Sequence, residues 1–485
     1  MSFTVLHISD LHRSPEDPIS NDELLSTLEA DRAHYTKEPV AIPAPDAIVV
    51  SGDIIQGVVV GEADYEARLS EQYEVALTFL RELTTRFVDG DISRVIIVPG
   101  NHDVDWNTAR GAMEPVPEVE YPEQLSPEYV TPRSDYRWNW GDRTLYRIVD
   151  RDLYGRRFHA YERFRSEFYG TAGENTSGEP SHYTLHELFD GRIGVVAFNS
   201  CEGNDCFSFQ GSIAEEALAR AHLDLVDKAS QHDLLAGVWH HSVDGPPDRS
   251  DYMDVNTVYR LTGKGFRVGF HGHQHRAQAS HRYIQLPGTE RFALISAGSL
   301  CAGSRQLPTG VNRQYNLVEL SDSLEEAKVH VREMAVSTVF GPAMRVDMGG
   351  KSFVGLKWNL STGFEKTVRA RIDADVMTAE TILQGGDPKT AAEILKHTDW
   401  PVGSYGRDLL LTALDDGKDW SGIVAHFQPP ATVQELTTVV KSLVELRNHE
   451  EADWLLDRLG PDLSMQAAAQ RDLKAWISAR KRSQS

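Results

Sequence analysis

Short apolar runs that end on polar tips set the rhythm of the first part of the chain. Phe3 to Ile8 hands over to Ser9-Asp10-Leu11-His12, and Asp46-Ala47-Ile48-Val49-Val50 ends on Ser51-Gly52-Asp53. Val95-Ile96-Ile97-Val98, followed by Pro99, ends on Gly100-Asn101-His102-Asp103. A short β-branched run closed by a turn signal reads as a buried strand of a parallel sheet. Between these runs the period lengthens. A helix is expected over Asp22 to Ala33, and Leu69, Tyr73, Ala76, Leu77, Leu80 and Leu83 fall on one face of a second. Strand, polar tip, helix, strand is the βαβ grammar of a parallel sheet, which carries its chemistry at the carboxyl ends of the strands.

The pattern breaks over residues 111–180. A Pro/Glu-rich loop runs from Glu114 to Pro132, and then Tyr154, Phe158, Tyr161, Phe164 and Phe168 repeat at three and four, as on the apolar face of one helix. Arg133 to Arg165 holds nine Arg and no Lys against five acidic residues. That local reversal of charge also suits a lid whose guanidinium groups reach phosphate oxygens, with Arg156, Arg157 and Arg163 as its substrate-binding candidates. The alternating grammar returns with a strand at Ile193 to Phe198, a helix marked by Ile213, Ala217, Leu218, Ala221 and Leu225, and a strand from Leu234 to Trp239 ending at His240-His241. A helix near Val255 to Leu261 precedes Val268-Gly269-Phe270, which leads into His271-Gly272-His273-Gln274-His275. Arg291 to Ser296, Tyr315 to Leu320 and Ala327 to Met334 read as strands of a second, more antiparallel sheet.

From about Val376 the chain changes to short helices separated by Gly and Pro. A boundary near 375 therefore divides a larger domain, 1–375, from a helical module, 376–485, and a chain of 485 residues is long enough for two cores. Thr390 to Leu395 and Glu450 to Leu456 share an Ala/Glu/Leu rhythm. The module reads as a surface for a protein partner or self-association, or as a structural cap. Arg480-Lys481-Arg482 reads as a solvated basic tail.

Composition narrows the classes. A net charge of −23 argues against extensive grip on nucleic acid, although a local basic pocket stays compatible with it. Three cysteines cannot form a disulfide framework, and Cys201 and Cys206 read as plain thiols. The chain starts without a basic segment and apolar core of signal-peptide type, and no apolar run approaches membrane-spanning length. The expectation is a cytoplasmic protein with no membrane partner.

The polar tips together present Asp10, His12, Asp53, Asn101, His102, His240, His273 and His275. These are oxygen and imidazole donors without a thiolate, the donor set of a divalent metal site. As Asp10-Leu11-His12, Gly52-Asp53, Gly100-Asn101-His102-Asp103, His240 and Gly272-His273-Gln274-His275, the blocks resemble those of the calcineurin-like metallophosphoesterases, over roughly residues 1–335. The resemblance implies an α/β fold, a four-layer α/β/β/α sandwich, with the all-α C-terminal module appended. It implies one metal held by Asp10, His12, Asp53 and His275 and a second by Asp53, Asn101, His240 and His273, so that Asp53 bridges. His241 stays open as an alternative to His240, and His271 reads as structural.

Two divalent ions bring four positive charges, and Asp10, Asp53 and a shared hydroxide remove three, which leaves the crevice attractive to phosphate. Mn ranks first among the metals, with Fe, Zn and Co also suited to mixed O/N ligation. His102, beside a ligand but outside the ligand set, is the expected proton donor to the leaving oxygen. In several branches of the family the residue three after the bridging Asp is acidic and orients that His; here it is Gln56, which leaves Asp103 or another carboxylate to support His102. The expected function is hydrolysis of a phosphodiester in a nucleotide or at a nucleic-acid end. A phosphomonoesterase acting on phosphoprotein and an inactive binding scaffold are the alternatives.

Overall fold

The computed structural model describes residues 2–17, 19–121, 134–170, 182–226, 232–245, 251–283, 291–303, 306–334, 338–343, 351–358, 375–398, 400–463, 465 and 467–484. The strands β1 (Phe3–Ile8), β2 (Ala47–Ser51) and β3 (Val95–Val98) pair parallel, in line with their apolar runs. A small antiparallel sheet of β4 (Met113–Pro115), β5 (Tyr136–Asn139) and β6 (Thr144–Ile148) lies within the insertion. A six-stranded sheet follows, made of β7 (Tyr183–Leu188), β8 (Ile193–Phe198), β9 (Leu234–Val238), β10 (Phe266–His271), β11 (Gln278–Tyr283) and β12 (Arg291–Ser296). The chain then returns to the first sheet through β13 (Gln314–Leu320), antiparallel to β1, and adds β14 (Glu326–Met334), β15 (Phe340–Pro342) and β16 (Phe353–Lys357).

The sheets are therefore shared out differently from the sequence expectation. Arg291–Ser296 does not join the later strands but pairs parallel with β10, while β13 and β14 extend the first sheet. Apolar alternation fixes which face of a strand is buried, but it does not choose the edge on which the strand docks.

Alternation along β1 shows the layering. Phe3 and Val5 enter an apolar cluster with Val49, Val98, Val195, Val238 and Phe270, between the two sheets. Leu6 and Ile8 point the other way, into a cluster with the helices α1 (Asn21–Arg32) and α2 (Tyr65–Phe87). Burial on both faces is the reason these strands read as almost continuous apolar runs.

Three further helices, α3 (Trp106–Gly111), α4 (Arg151–Gly155) and α5 (His159–Tyr169), belong to the insertion and its approach. The aromatic repeat is not one helix: a tight turn at Arg156–Phe158 separates α4 from α5. Gly155 is a weak helix former, and the Arg157 carbonyl accepts the Asp105 amide at 2.9 Å instead of continuing the ladder. Tyr161, Phe164 and Phe168 pack into the core beside α2, where Phe164 stacks on Tyr73 at 5.1 Å. On the second sheet α6 (Glu215–Val226) packs against β7 and α7 (Val255–Gly263) against β10, completing the α/β/β/α sandwich.

Within this unit a buried ion cluster ties α1 to β14. Arg332 grips Asp31 through Nε at 2.9 Å and a terminal nitrogen at 2.5 Å, and reaches Glu38 at 2.9 Å. Arg332→Met should cost about 3–5 kcal/mol, because it leaves the Asp31 carboxylate buried without its partner. The readout is a lower urea midpoint with an unchanged slope.

The chain divides into two compact units, and the helices of the second lie within Ser361–Ser485. Its helices are α8 (375–384), α9 (Pro388–Leu395), α10 (Tyr405–Asp416), α11 (Trp420–Phe427), α12 (Val433–Glu445), α13 (His449–Asp462) and α14 (Ala467–Gln484). From α9 onward each packs on the next, around Leu410, Leu414, Phe427, Leu436, Val440 and Leu456. The terminal basic residues continue α14, where Arg480 pairs with Glu445 at 3.4 Å. Among the described residues no helix is long and apolar enough to cross a membrane.

Candidate metal centre

The centre forms at the carboxyl ends of β1, β2 and β3 in one sheet and of β9 and β10 in the other. The Asp10 amide donates to the Gly52 carbonyl at 3.0 Å and the His12 amide to the Asp53 carbonyl at 2.9 Å, which joins the tips of β1 and β2. Asp10, His12, Asp53, His273 and His275 all have φ between 45° and 74°, in the left-handed region. Such a conformation costs about 1–3 kcal/mol per residue, and its clustering at five of the donors marks a backbone bent inward for its side chains. Gly52, at φ +95°, is required by contact as well: a Cβ there would lie 2.5 Å from His240 Nδ1.

Donor atoms converge in two groups. In the first, His275 Nε2 is 3.2 Å from Asp10 Oδ1 and 3.1 Å from His12 Nε2, and His12 Nε2 is 3.8 Å from Asp53 Oδ2. These four residues place one ligand atom each within 4.8 Å of one another. In the second, Asp53 Oδ2 lies 3.3 Å from His240 Nε2, and Asn101 Oδ1 lies 3.1 Å from both His240 Nε2 and His273 Nδ1. Asp53 Oδ2 is common to both groups. Imidazole nitrogens, carboxylate oxygens and an amide oxygen converging without a thiolate are the donor set of divalent metals. These donors therefore fit a pair of divalent ions.

Outer hydrogen bonds set each ring. A carbonyl can only accept, so His240 Nδ1 donates to Ser51 O at 2.8 Å, His275 Nδ1 to Gln306 O at 2.8 Å and His102 Nδ1 to Gln56 O at 2.6 Å. Each bond fixes the tautomer that leaves Nε2 as the other face of the ring. His273 is turned the opposite way, with Nε2 3.1 Å from Asp251 Oδ2. His241 stands behind the site, its Nδ1 2.9 Å from Ser200 Oγ, so His240 and not His241 faces Asp53 and Asn101. His271 lies parallel to Trp239 at 6.1 Å, and burial takes its pKa down to about 4.

The support expected for His102 is different in kind. Asp103 turns away, accepting the Gly100 amide at 2.8 Å, the Ile54 amide at 3.1 Å and the Tyr73 hydroxyl at 3.2 Å. Burial, with the Asp53 charge nearby, pushes its carboxyl up to about 7. The backbone of Gln56 holds the imidazole, while its side-chain oxygen accepts from Gln306 Nε2 at 2.9 Å. The expectation of an arginine lid also needs correction at Arg157. Its guanidinium is buried and donates to the carbonyls of Asn204 at 3.1 Å, Tyr154 at 2.8 Å and Glu202, stitching the insertion to the loop after β8. Arg156 and Arg163 are exposed. Cys201 and Cys206 are free thiols.

Electrostatics favours deprotonated carboxylates. Burial alone would raise Asp10 and Asp53, but the attraction of His275 on the first and His240 on the second outweighs it and holds both below the usual range. Burial takes His12 down to about 3. His240 goes the other way, up to about 9, because Asp53 overcomes its burial. A metal must therefore displace a proton from His240 at neutral pH. Metal affinity should rise with pH toward about 9, with proton release measurable by calorimetry in buffers of different ionisation enthalpy.

Sequence reasoning missed Asp251 and Gln306, which touch the donors only through the folded loops and carry no motif. Asp251→Asn should weaken metal binding by about tenfold, since it removes the negative charge 3.1 Å from the far nitrogen of a ligand, with competitive chelator titration as the check.

A family model described as calcineurin-like phosphoesterase matches residues 3–277, and the chain belongs to that family. Among solved structures the chain is similar to a dimetal phosphatase from Danio rerio, at 12% identity and a TM-score of 0.38, over 74% of this chain and 99% of that one. It is also similar to the calcineurin-like phosphoesterase YfkN from Bacillus subtilis, at 12% identity and a TM-score of 0.28, over 78% and 97%. A third is GAP50, the anchor in the inner membrane complex of Plasmodium, at 10% identity and a TM-score of 0.34, over 76% and 94%. No curated protein matches the sequence.

Proposed function

We propose that this protein is a metal-dependent phosphodiesterase that hydrolyses a nucleotide or a nucleic-acid end, with Mn as the first metal to supply. The observation that carries the diester preference is the character of the charges around the donors. The groups that act most strongly on Asp10 and Asp53 are histidines of the site, and the buried Arg157 is committed to backbone carbonyls. A monoester brings nearly two negative charges and a diester one, so a site with no guanidinium clamp among the described residues suits the diester.

When bound, divalent ions held by Asp10, His12, Asp53, Asn101, His240, His273 and His275 supply positive charge for the phosphate oxygens and lower the pKa of water. His102 keeps its proton placement through Gln56 and offers Nε2 to the leaving oxygen. Its ring lies edge-on to His12 at 4.7 Å, beside the donors and outside their set. The net charge of −23 favours a small nucleotide or a strand end over a long duplex.

The test is hydrolysis by Mn-supplied protein of bis-p-nitrophenyl phosphate against p-nitrophenyl phosphate. A higher kcat/KM on the diester is expected. Turnover of the monoester alone would replace this reading with that of a phosphomonoesterase.

A further inference from the structure

An apolar rim stands beside His102, and neither the metal donors nor the core accounts for it. Trp106, at the start of α3, has its ring 6.1 Å from that of His102 and 5.5 Å from that of Phe209. Val104, Phe158 and Cys201 back the indole from the interior, so it is a fixed wall. Phe209 comes from the loop after β8 and is 42% exposed, unusual for so large an apolar side chain. Among the described residues the buried indole N–H has no hydrogen-bond partner.

A second exposed apolar segment is tied to the same surroundings. Gln56, whose carbonyl holds the imidazole, opens a short loop that Asn107 pins by donating to Val59 O at 3.0 Å and accepting the Gly61 amide at 2.8 Å. That held loop exposes Val59 and Val60. Phe209, Val59 and Val60 are thus three of the described chain's large exposed apolar residues, all on segments tied to the surroundings of one catalytic imidazole. A rim that served only packing would be buried, and one that served only solvation would be polar.

We propose that Trp106 and Phe209 form a platform for a planar aromatic ring on the leaving side of the phosphate, the base of a nucleoside whose oxygen departs toward His102. The proposal rests on the phosphodiesterase reading and deepens it by naming what the leaving alcohol carries. A nucleobase offers a face to aromatic side chains whatever its identity, and such stacking is sequence-tolerant.

The probes are adenosine 5′-monophosphate and ribose 5-phosphate, which share sugar and phosphate and differ by the base. Calorimetry on the Mn-loaded full chain should give at least about tenfold tighter binding of the nucleotide. In Phe209→Ala that preference should shrink several-fold, while ribose 5-phosphate binding and metal content stay as in the native protein. Trp106→Phe, which keeps an aromatic wall but removes the N–H, should lose less than Phe209→Ala. Equal binding of the two probes by the native protein, or a preference undiminished in Phe209→Ala, would overturn the platform. If bis-p-nitrophenyl phosphate is still hydrolysed in that case, the platform alone falls. Failure to hydrolyse any diester removes the reading beneath it.

Discussion

His102→Ala is expected to keep its metal and lose about a hundredfold to ten-thousandfold in kcat on a diester with a poor leaving group. Metal should stay because His102 touches the donor set through its backbone: its amide donates to Asp53 Oδ1 at 2.9 Å, a bond that alanine preserves. Turnover should fall because the imidazole, with Nδ1 locked on Gln56 O at 2.6 Å, presents only Nε2 to the site. The loss should be graded. p-Nitrophenolate leaves without a proton, whereas an alkoxide does not, so a series of diesters with rising leaving-group pKa should show a steeper dependence in the variant. Metal analysis on the same samples separates this from loss of the ions. A uniform loss across the series would make His102 a positioning residue and not a proton donor.

Gln56 shows how far the sequence carries such an argument. A side chain three residues after Asp53 looked like the natural partner of His102, and the absence of a carboxylate there pointed to Asp103 or another carboxylate as a substitute. The folded chain uses the Gln56 carbonyl instead, a group that every residue possesses and no motif can reveal. The converging donors were legible because each follows a short apolar strand, and parallel strands buried on both faces must bring their tips to one edge. Their left-handed backbone was not legible, since Asp and His tolerate that region without requiring it, and only the folded chain sets φ at Asp10, His12, His273 and His275. Sheet membership of Arg291–Ser296 escaped for the related reason that pairing partners are chosen by tertiary packing. Arg157 misled because a guanidinium suits phosphate and a cluster of backbone carbonyls equally well, and only the fold decides between them.

Asp53→Asn should abolish metal binding at both groups and with it all turnover, a larger effect than any other single change in the centre. Its Oδ2 faces His12 in one group at 3.8 Å and His240 in the other at 3.3 Å, and its Oδ1 accepts the His102 amide. An amide side chain has one oxygen for these duties, so its NH2 must oppose either the His102 amide or the ligand position. The fold itself should survive, because Asn tolerates the φ of 51° that residue 53 adopts. Native protein should gain thermal stability as Mn is added, by mass action, and the variant should show no such rise. His240 provides a second readout on metal-free protein. With Asp53 removed its pKa, now up to about 9, should fall, since burial would be left with less to oppose it. A variant that still gains stability from Mn would mean that Asp53 does not bridge, and that the two donor groups fill independently.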